Sequence, residues 1–393
     1  MSDSVPTSPI YLDHNATTPI APEVLDAMQP YLTESFGNPS SDHPLGREAR
    51  RAVDVARDQV ATLIGASPDE IVFTSGGTES NHLAIRGAAA STSARRRRVV
   101  TTIVEHPATA GACAQLEAQG WSITRLPVSR DGFVDAIAAA ETIGDDVALV
   151  TVMLAQNETG AIMPVGEIAS IARSHGALIH SDGAQAVGKI DVNVDHLGVD
   201  LLSIAGHKFY APKGVGALYV RSGTPIDPLL LGGGQEGGLR PGTENVAGIV
   251  GLGAASVLAT SRIATDLTVI DALREQLWSG LAGKIPGLVR HTPLDSCLPN
   301  TLSLSFPGVL GRDVLARANG VLASTGSACH SGIDAPAATL LAMGVSPEVA
   351  LGAVRISLGR ANTRAQVETA VEILAAAFDD VRQDRTNRPP SGL

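Results

Sequence analysis

Cysteine is scarce in this chain, with Cys113, Cys297 and Cys329 the only three in 393 residues. An odd count without dense, regular spacing argues against a disulfide framework, and the absence of paired CxxC spacings argues against zinc knuckles. A reducing cytoplasm is the expected compartment. Long apolar runs are missing too: the longest, residues 147–155, is far too short to span a bilayer, and residues 1–15 show no basic stretch leading into an apolar one. Neither membrane insertion nor secretion is expected. Positive charge is in deficit, 29 basic against 40 acidic side chains for a formal net charge of -11, which repels a phosphate backbone and speaks against a nucleic-acid partner. The local exception, four arginines at 95–98 leading into the apolar run 99–104, reads as a solvated strand entry rather than a docking patch.

What is present is a globular balance, 44% hydrophobic and 18% charged. The length exceeds one ordinary domain. Short apolar runs at 71–73, 99–104, 147–154, 177–180, 201–204 and 216–220 alternate with helical patterns such as Ala49, Val53, Ala56, Val60 and Leu63. This alternation predicts βαβ units and a mostly parallel, buried sheet. Beyond about residue 260 the strand rhythm thins, leaving 300–306 and 353–358 among helices such as the one carrying Val367, Val371, Leu374, Phe378 and Val381. The expected organisation is a large domain over 15–260 and a smaller α+β domain built from 1–14 and 261–393. Residues 1–9 and 384–393, rich in Ser, Pro, Asp and Arg, read as frayed tails.

The residues with chemistry sit at predicted strand ends. Thr74-Ser75-Gly76-Gly77-Thr78-Glu79-Ser80-Asn81 follows the first strand and opens a helix, so it offers free backbone N–H groups and hydroxyls to a phosphate, although a plain strand-to-helix turn would look the same. His180-Ser181-Asp182-Gly183-Ala184-Gln185 and His207-Lys208 follow two further strands and should reach the same carboxyl edge of the sheet. Taken singly, such an Asp caps a turn and such a Lys is solvated. Together, a lysine, a carboxylate and a phosphate cradle suit a phosphorylated pyridine aldehyde, pyridoxal 5'-phosphate: the lysine forms a Schiff base and the carboxylate keeps the ring nitrogen protonated. A metal site built from His180, Asp182 and His207 is the rival reading, without HxxxH spacing or a cysteine pair to support it.

Further motifs follow in order: Tyr11-Leu12-Asp13-His14-Asn15-Ala16-Thr17-Thr18-Pro19, Gly37-Asn38-Pro39-Ser40-Ser41, Glu105-His106, Asn157-Glu158-Thr159-Gly160, Arg240-Pro241-Gly242-Thr243-Glu244-Asn245 and Gly326-Ser327-Ala328-Cys329. With the segments above, this series resembles the cysteine desulfurases of the NifS/IscS type, in the class V aminotransferase group, over roughly residues 10–380. The resemblance implies an α/β fold, the pyridoxal-phosphate-dependent transferase fold of the aspartate aminotransferase-like type (fold type I). It implies Lys208, His106 and Cys329 as catalytic residues, with Lys208 the Schiff-base lysine and Cys329 the sulfur acceptor. Asp182 falls at the position that meets the pyridine nitrogen, His106 at the one stacked on the ring, and Asn157 and Gln185 at those near the ring hydroxyl. Gly77, Thr78 and His207 match phosphate-binding positions, and Thr243 matches one that reaches the phosphate from the second subunit of a homodimer. Arg360, in Ser357-Leu358-Gly359-Arg360, matches the arginine that forks onto the substrate carboxylate, with Asn157 also on the substrate side.

The implied reaction takes sulfur from L-cysteine, leaves L-alanine, and hands a Cys329 persulfide to an acceptor protein or a small-molecule reductant for iron–sulfur cluster or other thio-cofactor assembly. Several positions depart from the pattern. Ala205 replaces a phosphate-contacting serine, His82 stands where a second Asn is common, and His330 follows Cys329 where Thr is usual. The Gly-Ser-Ala-Cys-His-Ser wording also resembles selenocysteine lyases, so L-selenocysteine is the alternative substrate. A non-catalytic scaffold for an assembly partner is the alternative of another class. Cys113 and Cys297 read as small buried hydrophobes or surface accidents, whereas Cys329 lies in a polar, glycine-flanked stretch where a thiolate can be exposed.

Overall fold

A computed structural model of the chain describes residues 8–92, 96–325 and 335–387. Its main sheet has seven strands in the order Ile71–Thr74, Gly216–Val220, Leu201–Ala205, Leu178–Asp182, Val147–Thr151, Arg98–Thr102, Ser122–Leu126. Gly216–Val220 is antiparallel to both neighbours, and every other pairing is parallel. The exception has a simple cause: the connection 206–215 is too short for the crossover helix that a parallel return requires. Helices cover both faces, which is why Val147–Thr151 and Leu201–Ala205 are buried at every position and read as nearly continuous apolar runs, broken only by Thr151 and Ser203. Ser122–Leu126 escapes sequence reading because it is an edge strand whose Ser122 and Arg125 face solvent.

From Arg98–Thr102 the chain steps outward to Ser122–Leu126, then returns across it to Val147–Thr151. This reversal of direction opens a crevice beyond the strand ends, the usual ligand position in open α/β sheets.

The apolar interior has more than one centre. One cluster on the main sheet includes Val53, Phe73, Val150, Ile179, Ile204 and Leu252. Another unites Ile10 and Leu12 with Leu277, Leu302, Val354, Leu374 and Phe378 around the antiparallel strands Ala353–Ser357, Thr301–Ser305 and Val289–Arg290. The N-terminal strand Ile10–Tyr11 joins that second region by pairing with Val321–Leu322. The helix Val246–Lys284 serves both, placing Ile249 and Leu252 in one cluster and Ile270, Leu273 and Leu281 in the other. By length and hydropathy it could cross a membrane, but half of its most apolar stretch is buried inside the protein, as in a core helix.

The described arginines of the basic patch are not simply solvated. Arg96 donates to the carbonyls of Val147, His175 and Gly176, Arg97 lies over the Trp121 ring, and Arg98 pairs with Asp146. They tie the strand entry to neighbouring loops; Arg95 lies outside the described residues.

Candidate active site

A cavity of about 200 Å³ opens at the crevice and is lined by Gly77, Thr78, Asn81, His106, Asn157, Asp182, Gln185, Ala205, His207 and Lys208, among others. Eight of the predicted positions thus converge from five strand ends. A larger concavity, about 840 Å³, lies elsewhere among Arg50, Arg57, Arg221 and Glu236 and contains none of them. Convergence of reactive groups, not size, identifies the site.

One end of the cavity is a helix N-terminus. Gly76, at φ 144°, turns the chain out of Ile71–Thr74 into the helix Gly77–Ser91, a geometry open to glycine, and the first-turn N–H groups have no partner within the helix. At Gly77 a Cβ would come 3.2 Å from that of Ala205, so glycine keeps this end open. His207 lies beside it with Nδ1 3.1 Å from Thr17 Oγ1; burial, then Lys208, Lys213 and Lys189, push its pKa down to about 4. A neutral imidazole, a hydroxyl at Thr78 and a helix dipole form a fitting cradle for a phosphate.

At the other end Asp182 closes its strand with both oxygens engaged. Oδ2 accepts from Asn81 Nδ2 at 2.7 Å and Oδ1 from the Ala184 N–H at 2.9 Å. His106 caps the helix Pro107–Ala118 by accepting the Ala108 N–H on Nδ1 at 3.1 Å, which assigns the proton of the neutral ring to Nε2. Desolvation and the Lys208 charge lower its pKa against the pull of Asp182, so the neutral form is favoured. Behind them His180 is fully buried, held by Thr151 on Nδ1 and Ser203 on Nε2. With both nitrogens occupied it is a structural strut, and the metal reading loses one of its three ligands. Among the described residues no group of three or more His, Cys, Asp or Glu side chains is placed to hold a metal ion.

Lys208 lies between this cavity and a smaller one of about 30 Å³ that contains His14, Lys189, Tyr210, Asp266, Asn300 and Arg360. Its Nζ donates to the carbonyls of Asn15 at 2.7 Å and Ala16 at 2.9 Å. Burial, then the Arg355 charge, bring its pKa down to about 8, partly opposed by Asp182 and Asp13. Arg360 is held in one orientation: its Nε donates to Asp266 Oδ2 at 2.5 Å, its Cζ lies 4.5 Å from the Tyr210 ring centre, and its backbone N–H donates to Tyr210 Oη at 2.7 Å. Tyr210 holds φ 73°, a strained value for a tyrosine, and its N–H is pinned by Thr18 Oγ1 at 2.7 Å.

Thr243 is exposed and does not line the cavity of its own chain. Cys329 and His330 lie outside the described residues. Cys113 is fully buried with its thiol pushed up to about 11, and Cys297 is half-buried against Arg274 at 3.2 Å. Sequence reasoning did not single out the roles of Asn81, Asn15, Lys189, Tyr210 and Asp266, although Asn15 and Asn81 stand inside quoted motifs.

Residues 10–369 match the aminotransferase class-V family. A cysteine desulfurase IscS of Dictyoglomus turgidum is 45% identical over 375 residues, 95% of each chain. Among solved structures, a NifS-like protein superposes with TM-score 0.89 at 38% identity, covering 95% of this chain and all of its own. A structure titled SspA in complex with cysteine superposes with TM-score 0.79 at 35% identity, covering 89% and 98%. The seven-stranded sheet with its helices accordingly has the α/β architecture of the fold type I pyridoxal-phosphate enzymes. With nearly its whole length shared, this chain belongs to the class V aminotransferase family, among the cysteine desulfurases.

Proposed function

We propose that the chain is a pyridoxal-phosphate-dependent cysteine desulfurase that releases L-alanine from L-cysteine and passes the sulfur through Cys329. The observation that carries this reading is the meeting of the Lys208 amine, the Asp182 carboxylate, the His106 ring and a helix N-terminus around one cavity. This donor set fits pyridoxal phosphate: Gly77, Thr78 and His207 would hold the phosphate, Asp182 the ring nitrogen, His106 the ring face, Gln185 and Asn157 the ring hydroxyl, and the Lys208 amine would serve the aldehyde. Bound there, the cofactor supplies an electron sink for bonds at the substrate's Cα and Cβ.

The chain's own groups do the rest. Arg360, aligned by Asp266 and Tyr210, turns its remaining guanidinium N–H groups to the substrate carboxylate. Lys208, with its lowered pKa, takes the Cα proton on Nζ and returns it. His106 faces the reaction with a proton on Nε2. The Cys329 thiolate attacks the substrate sulfur, so that an S–S bond forms as the Cβ–S bond breaks, and the carbon fragment takes up protons to become alanine. The resulting persulfide serves an acceptor protein or reductant in the cytoplasm, for iron–sulfur or other thio-cofactor assembly. The working unit is a homodimer, in which Thr243 completes the partner's phosphate site; its exposure away from its own cavity supports this.

The test is Cys329→Ala. The variant should keep the yellow cofactor band and bind cysteine, yet form neither persulfide nor sulfide. Sulfide at the wild-type rate, or sulfur found by mass spectrometry on Cys113 or Cys297, contradicts the assignment. The relatives' names favour cysteine over selenocysteine, and turnover of the two amino acids side by side checks this.

A further inference from the structure

Lys189 is a second lysine at the site, and nothing in the reaction above uses it. It lines the smaller cavity beside Lys208 and Arg360. Its Nζ donates to Gln185 Oε1 at 2.7 Å and to Asn15 Oδ1 at 2.8 Å. Gln185 in turn donates from Nε2 to the Asn15 backbone carbonyl at 3.0 Å, the same oxygen that accepts from Lys208. Asn15 is itself immobilised: Asn300 donates to its Oδ1 at 3.0 Å, its Nδ2 donates to Thr301 Oγ1 at 2.8 Å, and its N–H donates to Ser357 Oγ at 2.9 Å.

An amide side chain has two orientations that differ by exchange of a donor and an acceptor. Here both contacts of Gln185 select one. The reversed amide would set NH₂ against the Lys189 amine donors and an oxygen against the Asn15 carbonyl. In the selected orientation one Nε2 hydrogen goes to Asn15, and because Gln185 lines the cavity the second is available as a donor to an anionic ring oxygen there.

We propose that Lys189 is a positioning residue, which fixes the Gln185 amide so that it presents an N–H rather than an oxygen to the hydroxyl oxygen of the bound pyridine ring. The inference rests on the reading of the cavity as a pyridoxal-phosphate site. A donor on that oxygen draws electron density from it and weakens its hold on the imine proton. Loss of the donor therefore raises the pH at which the yellow, protonated band of the bound cofactor titrates. The argument differs from a general stabilising role, which would change the melting temperature and leave the band where it was.

The experiment is a spectroscopic pH titration of the holoprotein without substrate, for wild type, Lys189→Met, Lys189→Arg, Gln185→Ala and the Lys189→Met/Gln185→Ala double variant. Lys189→Met should move the titration upward by about one pH unit, the size of one lost hydrogen bond. Lys189→Arg, which keeps a donor, should restore most of the wild-type value. Gln185→Ala should shift in the same direction, and adding Lys189→Met to it should shift no further. A Lys189→Met band at the wild-type position overturns the proposal, as does an equal additional shift in the Gln185→Ala background, which would mark the lysine charge itself as the agent. Should the methionine variant fail to fold, Lys189→Ala, which also removes the donor and is read against Gln185→Ala in the same way, decides the matter. A wild-type protein that forms no yellow band with pyridoxal phosphate overturns the cofactor reading itself, a result distinct from any of these.

Discussion

Imine formation needs a neutral amine, so with Lys208 in its proposed role the environment of that lysine should set how fast the cofactor-free protein captures pyridoxal phosphate. With a pKa of about 8 rather than the ordinary 10.5, close to one-tenth of the amine is neutral at pH 7 instead of about 0.03%, an increase of about 300-fold. The main cause is burial, and the second is the Arg355 charge. Stopped-flow growth of the yellow band, divided by the rate per neutral molecule of a simple alkylamine at the same pH to cancel the cofactor's own titration, tests this. The intrinsic capture rate should climb about tenfold per pH unit below 8 and then flatten. Asp182→Asn removes a charge that favours the ammonium, so it should move the bend to lower pH. The linkage has a definite sign too: between pH 8 and 10.5 the unfolded lysine binds more proton than the folded one, so this group makes the cofactor-free protein more stable as pH rises through that window. A capture rate that keeps rising at full slope to pH 10 refutes the argument, because the amine would then be an ordinary one.

Two other substitutions probe the frame around the site. At Gly359 an added Cβ would lie 2.3–2.5 Å from three ring atoms of His14, itself packed edge-on against Tyr11 at 4.9 Å. Gly359→Ala should displace Arg360 at a cost of about 1–3 kcal/mol, seen as a raised KM for cysteine with the cofactor band unmoved; an unaltered KM speaks against Arg360 as the carboxylate site. Glu236 is nearly inaccessible, accepting from Arg57 at 2.6 and 2.8 Å and from the Phe73 N–H at 2.7 Å. Glu236→Ala strands a cation and a backbone donor and should lower stability by about 3–5 kcal/mol in denaturant unfolding. A midpoint equal to wild type would show that water replaces the carboxylate without cost.

The interior strands were legible because two covered faces force apolar side chains at successive positions, as in Val147–Thr151 and Leu201–Ala205. Strand ends were less so: residues 152 and 154 remain buried and donate to the carbonyls of His180 and Asp182, yet fall outside the strand. Lys208, Asp182, His106 and the Gly76-Gly77 turn could be placed because each sits at or a few residues beyond the end of a strand, where topology leaves few destinations. Their chemical types and order along the chain were determined by sequence, along with the family they belong to.

Tertiary structure decided what surrounds them. Asn15 meets Lys208 and Gln185 through a backbone carbonyl, which leaves no trace in residue identity, and the contact spans 193 and 170 positions of chain. The lowered pKa of Lys208 comes from burial beside Arg355, and the orientation of Arg360 from Asp266 on a distant helix. A residue's type settles what it can donate, accept or titrate, while its desolvation and the field around it depend on atoms brought together only when the two cores close.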